Sequence, residues 1–211
     1  MMKLYSYWRS STAYRVRIAL NIKAINYEVI PVNLIAGEHV SSSHQKRNAM
    51  GSVPVLEIAD RKMLSQSLAI IDYLDAHTPH PPLLPSADFE RAKILEAAFI
   101  IAADIHPVNN LRIIKKLSED FGADDKAKKQ WMIHFMVQGL KGFSAIINPS
   151  GEFAFGQLPT LADIVLIPQL YSARRWGVDL SNFDRLTEIE ANCLALEAFE
   201  NARPEKQIDA Q

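Results

Sequence analysis

Three consecutive hydroxyl residues, Ser10, Ser11 and Thr12, follow an apolar run that ends in Tyr7-Trp8-Arg9 and precede the helix-forming segment YRVRIALN. A strand that turns into a helix across such residues sets small donors where free backbone N–H groups and the helix macrodipole favour an anion. A thiolate is one such anion. The only cysteine, Cys193, lies far along the chain in an amphipathic run, so the sulfur would have to come with a bound small molecule. The plain alternative is that the three hydroxyls only cap the helix.

The elements that position this turn follow from hydrophobic periodicity. Lys3 to Trp8 reads as a strand, Thr12 to Lys23 as a helix with Val16, Ala19, Leu20 and Ile22 near one face, and Tyr27 to Val32 as a second strand. Val40 to Arg47 is polar and weakly periodic, which predicts a short or irregular helix. Val53 to Ile58 gives a third strand, Asp60-Arg61 a turn, and Lys62 to Leu64 a fourth strand. A helix then opens at Gln66-Ser67, with Leu68, Ile71 and Leu74 at helical spacing.

Four prolines between Thr78 and Pro85 interrupt the pattern and set a domain boundary. Beyond it Phe89–Lys116, Asp125–Ile147, Leu161–Trp176 and Leu186–Phe199 read as helices, with no strand. LADIVLIPQLY is apolar on nearly every side, which predicts a buried helix bent at Pro168. Thr160 to Asp163 forms a capping box at its start. The expected architecture is an α/β domain over residues 1–81 and an all-helical domain over 86–211.

Composition narrows the function. The chain has 211 residues, 48% hydrophobic and 22% charged, as an ordinary globular protein does. A formal net charge of −1 gives no global attraction to nucleic acid or an anionic membrane. One cysteine excludes an intrachain disulfide and any CxxC motif, which fits a reducing compartment. MMKLYSYWRSS reads directly as a strand rather than a signal peptide, and no apolar run is long enough to span a bilayer, so the cytoplasm is the expected location. No GxGxxG, P-loop, HExxH or GxSxG motif is present, and the histidines at 39, 44, 77, 80, 106 and 134 show no metal-ligand spacing.

SSTAYRVRIAL (Ser10 to Leu20), VPVL (Val53 to Leu56), QSLAIIDYL (Gln66 to Leu74), DIHPVNNLRI (Asp104 to Ile113) and LPTLADIVLIPQ (Leu158 to Gln169) together resemble the zeta-class glutathione transferases. Within the class the resemblance is to bacterial maleylacetoacetate and maleylpyruvate isomerases, and it runs in order over nearly the whole chain. It implies a thioredoxin-like domain joined to a helical domain. It also implies a homodimer, glutathione as cofactor, and cis–trans isomerisation of a small dicarboxylic enol-ketone in aromatic-acid or aromatic amino-acid breakdown; the alternatives are conjugation, peroxide reduction or dehalogenation on the same scaffold, or a binding protein that keeps the fold without the activity.

By this resemblance Ser10 is the leading thiolate donor, with Ser11 and Thr12 beside it. Many relatives have cysteine where this chain has Thr12. Tyr7 is a rival, because other transferase classes use a tyrosine at the end of the first strand. The resemblance implies a cis Val53-Pro54 bond that leaves the Val53 N–H and C=O to pair with the cysteinyl part of glutathione. It assigns Gln66 and Ser67 to the γ-glutamyl carboxylate, against ordinary helix capping. Arg15 joins the cofactor-binding set, and His39 takes the glycyl end. In the helical half it assigns Asp104 to the cofactor's amino group, and His106, Asn110 and Arg112 to the cofactor and substrate, although a lone histidine before proline is commonly a packed residue.

Arg9 sits beside the reactive turn, and Arg174 and Arg175 follow the buried helix. Arginine forks bind carboxylates in bidentate fashion. Adjacent helical residues point about 100° apart, so one of that pair, Arg175 by preference, serves the substrate; the alternative is a solvated charged face.

Overall fold

The computed structural model describes residues 1–211. The chain divides into two compact units, Met1–Pro82 with Leu194–Gln211, and Leu83–Cys193. This differs from a helical domain that runs to residue 211. Leu194–Gln211 packs with the first unit because Phe199 and Ala202 are buried there, Asn21 Nδ2 donates to the Ala198 carbonyl (2.9 Å) and Arg17 Nε donates to the Ala202 carbonyl (3.0 Å).

The first unit runs β1 (Met2–Ser6), α1 (Ser11–Ile22), β2 (Tyr27–Pro31), α2 (Ser42–Gln45), β3 (Val55–Glu57), β4 (Met63–Ser65) and α3 (Ser67–His77). The four-stranded sheet has the order β2-β1-β3-β4; β1 and β2 are parallel, and the other pairs are antiparallel. Alternation along β1 splits the sheet into two faces. Leu4 lies opposite Val29 and Leu56 in register, and Tyr5 opposite Ile30 and Val55. Tyr5, Val55, Ile30 and Met63 form one cluster with Tyr7, Trp8, Val32 and Val53. Val16, Ala19, Leu20, Ile70, Ile71 and Leu74 of α1 and α3 are buried, as the helical spacing predicts.

Chain punctuation explains where the elements stop. Pro54 cannot donate to a ladder, so β3 starts at Val55 rather than Val53. The Val53-Pro54 bond is cis, and so is His80-Pro81. The expected Val40–Arg47 helix is instead a 3-10 turn, Glu38–Val40, followed by α2. The buried Lys23 ammonium bonds the Asp75 carboxylate (2.6 Å) and the Thr78 and Pro81 carbonyls (2.6 and 2.5 Å), which ties the end of α1 to the end of α3 and the proline segment.

The second unit holds α4 (Asp88–Phe99), a π-helical turn (Ile100–Ile105), α5 (Leu111–Phe121), α6 (Asp125–Ile146), α7 (Leu161–Trp176) and most of α8 (Asp184–Leu194). The single helix expected over Phe89–Lys116 is broken. Pro107 has no N–H to continue it, and the residue before a proline is disfavoured in the helical region. The chain restarts at Asn110, which caps α5. The expected last helix likewise splits into α8 and a short helix, Glu197–Glu200. α7 runs unbroken through Pro168, and its capping box is formed as predicted.

Candidate functional site

The turn between β1 and α1 is closed by the Ser10 N–H, which donates to the Tyr7 carbonyl (2.9 Å). Ser10 is the N-cap of α1, in extended conformation, and its Oγ accepts from the Ala13 N–H (3.2 Å). Capping is therefore real, but it uses a lone pair of Ser10 and leaves the proton. Thr12 Oγ1 donates to the Val53 carbonyl (3.0 Å), which commits the only proton of that hydroxyl. The 3.0 Å contact between Ser10 Oγ and Thr12 Oγ1 is then donated by Ser10. Of the two hydroxyls, Ser10 alone has a proton that an incoming anion could draw away from another side chain. The expectation that the Val53 carbonyl is free is corrected: Thr12 occupies one of its two lone pairs. Ser11 opens α1 and is partly exposed.

Arg15 lies on the buried side of α1 and is 1% exposed. Its Nη1 donates to Ser67 Oγ (3.3 Å), while Nε and Nη2 have no partner. Burial lowers its pKa to about 10, so at neutral pH the guanidinium is still charged and no carboxylate in the chain answers it. Gln66, the residue before α3, has φ +71° and makes no side-chain cap bond. Ordinary capping by Gln66 is thus excluded. A left-handed non-glycine residue costs about 1–3 kcal/mol, and such strain gathers at ligand clamps.

Other polar atoms nearby in sequence are also orphaned. Tyr7 Oη, Trp8 Nε1 and Arg9 Nε are buried without partners, and the Arg9 guanidinium lies 4.6 Å from the centre of the Trp8 ring. His39 sits in the Glu38–Val40 turn with its Nδ1 buried and unpartnered; burial, and secondly the charge of His44, lower its pKa.

In the second unit Asp104 falls within the π-helical turn and His106 directly after it, with the His106 N–H donating to the Ile101 carbonyl (2.9 Å). Single π turns often mark functional sites. Gly139 of α6 admits this turn, since a Cβ there would lie 2.2 Å from Ile105 Cγ1. Trp131 Nε1 donates to the Val108 carbonyl (2.9 Å) and holds the loop that follows. Asn110 Oδ1 accepts from the Arg112 N–H (3.1 Å), so Asn110 has a capping role that the sequence reading did not give it; Arg112 is exposed. Arg174 is paired with Glu190 (2.7 Å), whereas the Arg175 guanidinium lies 5.6 Å from the Trp176 ring centre. No group of three His, Cys, Asp or Glu side chains is placed to hold a metal.

Two links were missed from sequence: the Thr12–Val53 bond and the reach of Asp209 Oδ2 to the Trp8 N–H (3.0 Å). Neither has a local signal, since 41 and 201 residues separate the partners.

Residues 1–76 match the family described as Glutathione S-transferase, N-terminal domain. The chain is 42% identical over 205 residues to a maleylacetoacetate isomerase of Rhizobium meliloti, covering 96% of each. A holo maleyl pyruvate isomerase structure, of a bacterial glutathione S-transferase in the zeta class, superimposes with a TM-score of 0.96 at 40% identity, over 99% of this chain and 100% of that one. A maleylacetoacetate isomerase of Anaeromyxobacter dehalogenans, with bound dicarboxyethyl glutathione and citrate, has a TM-score of 0.89 at 38% identity, over 100% and 98% of the two chains.

Proposed function

From the premise that this chain belongs to the zeta class of the glutathione transferases, we propose that it is a glutathione-dependent cis–trans isomerase that converts maleylacetoacetate or maleylpyruvate to the fumaryl isomer. The observation that carries the reading is the Ser10 hydroxyl, placed at the start of α1 with a proton that only another hydroxyl engages.

The residues fit an anionic peptide cofactor. The orphaned Arg15 nitrogens and the strained Gln66 lie where an anion would be welcome, and the Val53 carbonyl keeps one lone pair. Glutathione, when bound, supplies a thiol that adds to and leaves a carbon–carbon double bond, so that the bond can rotate in between.

The chain's part is to hold the sulfur ionised. A thiol of pKa ~8.5 needs ~2.7 kcal/mol of preferential thiolate binding to be lowered by about two units. A helix N-terminus contributes up to ~2 kcal/mol in a favourable site, and a hydrogen bond to a charged acceptor ~1.5–3 kcal/mol. Ser10 donates that bond. Thr12, anchored on Val53, orients Ser10, and Ser11 adds an amide at the same helix end.

Gln66 and Ser67, with Arg15 behind Ser67, are assigned to the γ-glutamyl carboxylate. Val53 is assigned to the cysteinyl main chain and His39 to the glycyl end. In the helical unit Asp104 is assigned to the cofactor's amino group, and His106, Asn110 and Arg112 to cofactor and substrate. Arg9 and Arg175 are assigned to the substrate carboxylates, where a held diacid rotates without diffusing away.

The assembly assigned is a homodimer, supported by the exposed Phe89 and Phe99 of α4, and light scattering should return twice the 23.7 kDa chain mass. The compartment assigned is the cytoplasm; no helix is long and apolar enough to cross a membrane. The test is to follow the ultraviolet absorbance of maleylacetoacetate and maleylpyruvate side by side, with and without glutathione. Fumaryl product is expected only with glutathione. No conversion of either substrate overturns the reading, and accumulation of a stable conjugate reassigns the protein to transfer chemistry.

A further inference from the structure

We propose that the segment Ala202–Asp209 is a strap that fixes the turn presenting Ser10, with Asp209 and Arg17 as positioning residues. The catalytic consequence rests on the isomerase reading; the strap itself rests on hydrogen bonds.

The peptide groups of Trp8 are gripped from both sides. Its N–H donates to Asp209 Oδ2 (3.0 Å), and its carbonyl accepts from Arg17 Nη2 (3.0 Å). Arg17 is fully buried and bonds Ser6 Oγ through Nη1 (3.1 Å) and the Ala202 carbonyl through Nε (3.0 Å). One guanidinium thus joins the end of β1, the turn and the tail. A planar fork with several donors suits that task.

The segment is tied at Ala198, Ala202 and Asp209. Asp209 Oδ1 is buried without a partner, so the carboxylate is desolvated for a single bond, the one to Trp8. A charge-assisted bond of that kind is about twice as strong as a neutral one. Ser10 itself is held to α1 as its N-cap, its carbonyl accepting from the Tyr14 N–H (2.9 Å), while the backbone from Trp8 to Ser10 is closed by the Ser10 N–H to Tyr7 carbonyl bond. Loosening the Asp209 contact therefore relaxes the Trp8–Arg9 backbone that leads into the Ser10 cap, shifting Arg9, assigned to substrate, and the approach to Ser10, assigned to sulfur.

The test compares Asp209→Ala, Asp209→Asn and a chain ending at Ile208. Asparagine keeps a carbonyl oxygen that accepts the Trp8 N–H, so it should rescue in part. In Asp209→Ala and the shortened chain, hydrogen exchange at the Trp8 amide is expected to quicken about tenfold, the scale of one lost hydrogen bond. The acid limb of the kcat/KM profile should move up by about half a pH unit or more. Asp209→Asn, keeping a neutral acceptor, should lie between the wild type and Asp209→Ala on both readouts.

Unchanged exchange at Trp8 in Asp209→Ala, an unmoved acid limb despite faster exchange, or Asp209→Asn as impaired as Asp209→Ala overturns the proposal. If Asp209→Ala does not fold, protection in the wild type decides: a Trp8 amide that exchanges as an open one does overturns the strap, and a protected one supports it. A wild-type enzyme with no glutathione-dependent activity defeats the isomerase reading instead, and the strap is then judged on exchange at Trp8 and Ser10 alone.

Discussion

Asp163 and Arg15 are both buried ionisable residues in helices, one in each unit, and the chain treats them in opposite ways. Burial pushes the Asp163 carboxyl up, but the N–H groups of Ala154 (2.8 Å) and Thr160 (2.8 Å) and the Thr160 hydroxyl (3.0 Å) all donate to it and pull the other way. Arg15 has one bond, to Ser67, and two nitrogens with none. A buried polar group normally finds its partners within the fold. The first region is complete as it stands and belongs to folding, as the capping box of the core helix α7. The second region leaves a buried guanidinium unanswered within the fold, which supports its assignment to an anion in the proposed function.

The sharpest way to break the comparison is Asp163→Ala. It strands three donors in the core and should cost about 3 kcal/mol or more, read from the urea midpoint, with no selective effect on glutathione binding. Next comes Ser10→Ala, which removes the mobile donor. It should lower kcat about 10²-fold, in the range for losing one donor to a developing anion, while costing about 1 kcal/mol of stability as a lost cap.

Arg15→Met should have the opposite sign to Asp163→Ala on the apo protein. Removing an unanswered buried charge leaves stability unchanged or raises it by about 1 kcal/mol, and the rise in melting midpoint that glutathione gives the wild type should shrink. A variant as unstable as Asp163→Ala would erase the distinction between the two regions.

The smallest expected effect concerns His39. Its folded pKa lies below the ordinary histidine value, so between the two values the unfolded chain binds more protons. Stability should therefore rise with pH as the unfolded value near ~6.5 is approached from below. A His39→Gln variant should flatten that slope in denaturation series run from acid to neutral pH.

Legibility in the sequence tracked the range of the forces involved. The Thr160–Asp163 box and the span of α7 were readable because a cap and its helix are neighbours in sequence. The βαβ start and the hydroxyl turn were readable for the same reason, but the direction of the Ser10 proton was not, because the Thr12–Val53 bond spans 41 residues. Arg15 entered the cofactor-binding set through the family resemblance, and only packing revealed that no partner in the chain answers its Nε and Nη2. The π-helical turn was hidden by the continuous apolar pattern of Phe89–Lys116, where Pro107 was the one local cue. Nothing local marked the tail's return to Trp8.

The central claim is that the turn opening α1 holds the sulfur of glutathione as an anion. Ultraviolet titration of the thiolate in the complex measures it directly. The account predicts half-ionisation about two pH units below the free value of ~8.5, with most of that shift lost in Ser10→Ala. A bound thiol that ionises no more readily than glutathione in solution would contradict it.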